Sequence, residues 1–236
     1  MVREIYIYIE GIGDRDDEEA ESLVIPRRRG FRSGIRSGKE TTSGLRPGFR
    51  QFFKELYQLA QSKGIQIRLN LCGSRGDAYE DFLLSLETHP NAFNVLLVDS
   101  EAPLSDTPWK HLKNRQEDQW DSRGLDDQHC HLMVQTMEAW FIADLEALQN
   151  YYGQGFRADK IQMRMSADNN VENISVYNLE KWLKQATKET SKGKYKKAIH
   201  APEILKRLNV AKVRKAAPSC DRLFTTLTQI MEAATD

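Results

Sequence analysis

The sequence predicts an α/β fold: a mainly parallel sheet flanked by helices over residues 1–150, then a helical C-terminal part over 151–236. Three observations predict it. Short runs rich in aliphatic and β-branched residues recur at 5–9, 65–71 and 94–98. Segments with helical apolar spacing separate them, the alternation that builds parallel sheets. Within the third run, Val95-Leu96-Leu97-Val98 is apolar without a break, as a strand covered by helices on both faces must be.

The first strand, Ile5-Tyr6-Ile7-Tyr8-Ile9, ends in a carboxylate, Glu10, followed by Gly11-Ile12-Gly13-Asp14. A dinucleotide loop would need a third glycine, and Glu10 would face the pyrophosphate. The glycines serve better as a tight turn beside an ion held by Glu10. Residues 15–43 lack a lasting apolar period and read as a mobile basic insertion. An acidic run (Asp14, Asp16, Asp17, Glu18, Glu19, Glu21) leads into Arg27, Arg28, Arg29, Arg32, Arg36 and Lys39. Such a run is commonly a solvated loop; the functional alternative is an arm that orders on nucleic acid, with Phe31 available to stack.

Arg46-Pro47-Gly48 opens a helix through about Ser62, its apolar face made by Phe49, Phe52, Phe53, Leu56, Leu59 and Ala60. The alternating strand over 65–71 lies nearer the sheet edge. Gly73-Ser74-Arg75-Gly76-Asp77 is a turn in which Asp77 caps the next helix, and Arg75 suits a phosphate or plain solvent equally.

The central strand ends in Asp99-Ser100-Glu101. If extended geometry persists, both acids share a face at the carboxyl end of the sheet, where α/β proteins bind ligands. Two carboxylates there need compensation, and a divalent cation with its preference for oxygen ligands supplies it. The plainer alternative is a helix-capping or turn aspartate. The convergence of Glu10, Asp99 and Glu101 is the constellation the functional case rests on.

Residues 102–128 read as polar loop. A helix through Glu138-Ala139-Trp140-Phe141 follows, with residues 132–134 as its start or as a short strand. Glu138 lies in an apolar stretch and needs a partner: a cation, an arginine or a backbone donor. It is either a ligand or a supporting base behind the metal-holding acids, the latter with Asp14, or a salt-bridged structural residue. His129 and His131 flank Cys130 without a second pair, so a zinc site is not expected. The C-terminal part reads as helices near 176–187, 201–208, 210–216 and 221–234. Between the first two lies a basic loop, Lys188, Lys192, Lys194, Lys196 and Lys197, with Tyr195 interleaved. Lysines beside an aromatic suit phosphate contact; a solvated loop is the default.

The bulk numbers bound the rest. A length of 236 residues, 40% hydrophobic and 29% charged, suits one soluble globular domain or a domain with a small appendage. No apolar run approaches membrane-spanning length, and Met1 leads directly to a strand, so neither signal peptide nor anchor is expected. Three separated cysteines without a C-x-x-C pair fit a reduced, cytoplasmic setting. The net charge is zero, so a polyanionic partner would be met by local clusters.

Residues 9–14 (Ile-Glu-Gly…Gly-Asp), 96–101 (Leu-Leu-Val-Asp-Ser-Glu) and 133–140 (Met-Val-Gln-Thr-Met-Glu-Ala-Trp) stand in an order that resembles a known family. These are the Toprim-like proteins of unknown function found beside AAA-type ATPases in bacterial defence loci, relatives of the RloB proteins. Thr-Ser-Lys-Gly-Lys-Tyr-Lys-Lys and Lys-Val-Arg-Lys-Ala-Ala-Pro near the C-terminus are similar to it as well. The resemblance covers nearly the whole chain except residues 15–43. It implies a Toprim fold, with Glu10 as catalytic glutamate and with Asp99 and Glu101 holding Mg²⁺ or Mn²⁺ for phosphodiester cleavage. This chain has Asp-x-Glu where the wider superfamily usually has Asp-x-Asp. The expectation is a metal-dependent endonuclease acting on DNA, tRNA or another RNA in antiviral defence, gripping the backbone through the two basic clusters. The alternatives are a non-catalytic subunit that binds nucleic acid or an AAA-type ATPase, and a nucleotide-binding enzyme, which Glu10 disfavours. A homodimer is compatible with either of the first two.

Overall fold

The computed structural model describes residues 2–11, 44–163, 165 and 168–234. Asp14, Phe31 and the arginines 27, 28, 29 and 32 lie outside them, as does the whole of the insertion expected over 15–43. Four strands form one sheet: β1 (Glu4–Ile9), β2 (Gln66–Leu71), β3 (Phe93–Asp99) and β4 (Cys130–Met133). Their order is β2-β1-β3-β4, and every pairing is parallel. Between β1 and β2 run α1 (Leu45–Phe52) and α2 (Lys54–Ser62), between β2 and β3 α3 (Arg75–Thr88), and between β3 and β4 α4 (Pro108–Asn114). After β4 come α5 (Glu138–Ala143), α6 (Leu145–Tyr152), α7 (Asp159–Gln162) and α8 (Val176–Thr187). The described chain finishes with α9 (Lys197–Leu205), α10 (Val210–Ala216) and α11 (Pro218–Ala233).

The period of two along each strand sorts the core into two layers. Ile5, Ile7, Ile9, Val95, Leu97 and Met133 face a layer built from α1, α2, α5 and the C-terminal helices. Tyr6, Tyr8, Leu96, Val98, Cys130 and Leu132 face Ala78 and Phe82 of α3 and Trp109 and Leu112 of α4. All seven residues of β3 are buried, as its unbroken apolar run requires. The helices beyond residue 151 share the first layer's core. Phe52 of α1 stacks on Trp140 of α5 at 5.0 Å and meets Phe224 of α11 edge-on at 5.7 Å.

Four expectations are corrected. The first long helix breaks at Phe53 into α1 and α2, although its apolar face runs on through both. The turn before α3 is shorter than expected: Ser74 is the N-cap and Asp77 its capping-box partner, so Arg75 is already helical. Residues 102–128 contain α4, started by Thr107-Pro108. Lys197 begins α9 and is no part of the basic loop.

The chain returns from β1 on the first face and from β3 on the second. The carboxyl ends of these neighbouring strands therefore flank a crevice of the kind where α/β sheets place ligands.

Candidate metal centre

Glu10 follows the last residue of β1, and its backbone N–H donates to the Leu97 carbonyl of β3. Gly11 then takes a φ of +146°, and its N–H and C=O both bond to Gly73. A Cβ at Gly11 would stand 2.7 Å from the Leu45 Cδ1. Only glycine meets both conditions, so the turn that frees the Glu10 side chain depends on it.

Asp99 ends β3 on the side of the first layer and is 2% exposed. Its N–H donates to Glu10 Oε2 at 3.2 Å, its Oδ1 accepts from the Met137 N–H at 2.8 Å, and its Oδ2 accepts from Lys197 Nζ at 3.1 Å. Glu101 reaches the same place by a different route from the one expected. The strand stops at Asp99, and Glu101 adopts a left-handed φ of 59° while its N–H donates to the Gln135 carbonyl at 2.8 Å. Carboxylate oxygens of Glu10, Asp99 and Glu101 all lie within 4.8 Å of one another.

Cations and a second tier of acids surround the trio. Lys197 Nζ is also 3.4 Å from Glu138 Oε2, and the Tyr195 hydroxyl donates to Glu138 Oε1 at 2.9 Å. This supplies the partner that a buried carboxylate in an apolar stretch demanded. Arg75 donates Nη1 to the Asp99 carbonyl at 2.7 Å, and the same nitrogen lies 3.8 Å from Glu10 and 4.0 Å from Glu101. Its other two nitrogens grip both oxygens of Asp118, whose side chain is 2% exposed, and its guanidinium stacks over Trp120. Asp118 is shared with Arg115, whose Nη1 donates to the Ser100 carbonyl. Leaving aside the exposed Glu117, among the described residues five carboxylates (Glu10, Asp99, Glu101, Asp118, Glu138) face three cations (Arg75, Arg115, Lys197). Fully ionised, the rim carries two negative charges in excess, the charge of one divalent ion.

The titration behaviour follows from that crowding. Burial pushes Asp99 up to about 7; Lys197 opposes the rise, and Glu10 and Glu138 add to it. Burial also raises Glu10, against the pull of Arg75. Burial alone would lower Lys197, but Asp99 and Glu138 outweigh it and hold the ammonium charged. The donor set of hard oxygens is that of Mg²⁺ or Mn²⁺ sites, and oxygens on opposite sides of such an ion stand about 4 Å apart. Closing from 4.8 Å takes a small side-chain adjustment, so the three acids fit the ion.

The other candidate residues divide clearly. Arg75 and Lys197, expected to hold phosphate, lie against the acid rim. Lys188, Lys192, Lys194 and Lys196 are exposed, with Lys188 paired to Glu189 and Lys192 lying over the Tyr151 ring. Tyr195 is buried on Glu138 and unavailable for stacking. His129 and His131 sit toward the opposite ends of the strands: His129 Nδ1 bonds to the Asn94 carbonyl, and His131 lies between the Gln128 carbonyl and Arg222. Burial lowers His131 to about 3, so it is a neutral packing residue. Asp118 and Arg115 were missed, because the segment carrying them shows no apolar period. A groove of about 430 Å³ between Arg46, Arg50, Tyr57 and Arg68 lies along β2 and includes none of the three acids.

No described helix is long and apolar enough to cross a membrane. A family model described as a domain of unknown function, DUF4276, matches residues 37–228, a stretch that includes Asp99 and Glu101 but not Glu10. No curated protein and no solved structure matches the chain.

Proposed function

The chain belongs to DUF4276, a family of domains of unknown function, and from that premise we propose that it is a metal-dependent nuclease. One observation carries the proposal: three carboxylates from the ends of two neighbouring parallel strands meet within 4.8 Å at the crevice of the sheet. The charge excess of the rim and the resemblance to Toprim-like defence proteins support it. Glu10, Asp99 and Glu101 would hold Mg²⁺ or Mn²⁺, which when bound polarises a phosphate and lowers the pKa of a bound water.

The chain's own residues do the rest. Lys197 fixes one Asp99 oxygen and the Met137 N–H fixes the other, so the carboxylate is held in one orientation. Asp118 holds Arg75 rigid, with its positive charge against the cluster where a phosphate would arrive. Glu10, raised by burial, serves as a ligand or as a general acid–base group that exchanges its proton nearer neutrality. The exposed lysines 188, 192, 194 and 196 steer a polyanion toward the rim. In this proposal the activity belongs to antiviral defence, with an AAA-type ATPase as its partner.

The experiment is cleavage of labelled DNA, tRNA and other RNA by the purified chain with Mg²⁺, with Mn²⁺ and with chelator. Cleavage depends on metal and falls at least about a hundredfold in Asp99→Asn and in Glu10→Gln. Equal cleavage by these variants removes the proposal.

A second proposal rests on Lys197. Its ammonium already bridges Asp99 and Glu138, so the acid cluster is partly neutralised from within. In a non-catalytic subunit that docks on nucleic acid or an ATPase, the cluster is a structural ion network. Absence of Mn²⁺ binding by calorimetry, together with tight ATPase binding, selects it.

A further inference from the structure

One face of α8 carries Tyr177, Lys181 and Lys184 at helical spacing, and Lys188 at the helix end and Lys194 from the following loop complete a groove of about 350 Å³. Tyr177 is 70% exposed, second only to Met163 among the large hydrophobic side chains of the described residues. The Lys181 ammonium lies 5.1 Å from its ring centroid. Glu180 lines the same groove and pairs with Lys184, while Lys188 pairs with the neighbouring Glu189. Lys181 and Lys194 form no ion pair among the described residues. The face therefore keeps a net positive charge beside an uncovered aromatic ring.

This face is tied to the acid rim by a single residue. The Gln135 carbonyl accepts the Glu101 N–H at 2.8 Å, and the Gln135 side-chain oxygen accepts the Val176 N–H at 3.3 Å. Val176 opens α8, and Tyr177 is the next residue. At its other end α8 runs into the 188–196 loop, which leads back to Lys197 on Asp99. The aromatic face and the acids are thus linked through Gln135 at one end of α8 and through the 188–196 loop at the other.

We infer that Tyr177 and the lysines of α8 form a single-strand-specific subsite, in which an unpaired base stacks on the Tyr177 ring and its phosphates lie along Lys181 and Lys194. The inference rests on the reading of the acid rim as a nucleic-acid-cleaving centre and names its substrate class. A duplex keeps its base faces stacked internally, so it cannot use an exposed ring, whereas any unpaired base can. Lysines alone grip both forms alike through the phosphates.

The test is fluorescence anisotropy on the full chain in chelator, with short labelled single strands of RNA and of DNA and the matched duplexes. Single strands bind at least about tenfold more tightly than duplexes. Tyr177→Ala abolishes that preference, Tyr177→Phe retains it, and Lys181→Glu weakens both forms. Preference in the RNA arm alone assigns the subsite to RNA, and in the DNA arm alone to DNA; either supports it. Equal binding of strand and duplex, or a Tyr177→Ala variant indistinguishable from the parent, overturns it. The chelated assay separates the two claims. Metal-dependent cleavage without Tyr177-dependent binding sinks the subsite alone, and Tyr177-dependent binding without any cleavage sinks the nuclease alone.

Discussion

At Asp99, burial and ligation pull in opposite directions. Burial moves its pKa from 3.8 to about 7. Between those values the native chain binds more protons than the unfolded chain. This group's contribution to stability is therefore present below 3.8 and lost as pH rises through about 7. A cation needs the ionised form, so Mn²⁺ affinity falls as pH drops below about 7, by roughly tenfold per unit. Titration about one unit either side of pH 7 reads this, and affinity that ignores pH contradicts it.

Lys197 gives a second residue-scale prediction. Its removal in Lys197→Met leaves Asp99 and Glu138 without their shared counterion. Mn²⁺ affinity then rises several-fold, because the site becomes more negative. Stability in chelator falls by about 1–2 kcal/mol, discounted because the Lys197 side chain is 47% exposed. Calorimetry and thermal melting check the pair of effects; unchanged metal affinity would remove Lys197 from the site's electrostatics.

Among the elements, those whose burial is simple were legible. β3 could be read because a strand covered on both faces must be apolar throughout. α8 and α10 run over the residues expected, 176–187 and 210–216, because each carries a clear start: Ser175 and Asn209 cap them through their side chains. α4 escaped notice because a seven-residue helix holding only Trp109 and Leu112 as apolar contacts shows no period. The break at Phe53 left no trace, since Phe49, Phe52, Phe53 and Leu56 stay buried on both sides of it. The acids were legible from strand ends, but their cations were not. Lys197 is one of five lysines in its cluster, and only the fold distinguishes it. Arg75 likewise became part of the site through Asp118, a partner hidden in a segment read as loop.

The element-scale prediction concerns α11. Phe224 is 1% exposed and touches Phe52 and Phe53 across from the sheet. Phe224→Ala costs about 3–5 kcal/mol through lost burial and the cavity left behind. Because its partners lie on α1 and beside Trp140, helix content and tryptophan fluorescence fall in one transition. Two separate transitions would show that the C-terminal helices fold apart from the sheet.

On the scale of the whole molecule, a neutral chain concentrates its charge locally. Acids gather where β1 and β3 end, and exposed lysines gather on α8 and the loop that leads to Lys197. The sheet sets the first arrangement by placing two carboxyl ends side by side, and α8 with the loop that delivers Lys197 to Asp99 sets the second. The most direct measurement of this arrangement is a calorimetric Mn²⁺ titration of the intact chain against Asp99→Asn and Glu10→Gln near pH 8. Saturable binding by the parent, weakened at least about tenfold in both variants, is the predicted result. The same affinity in all three proteins would mean that these acids do not share a cation.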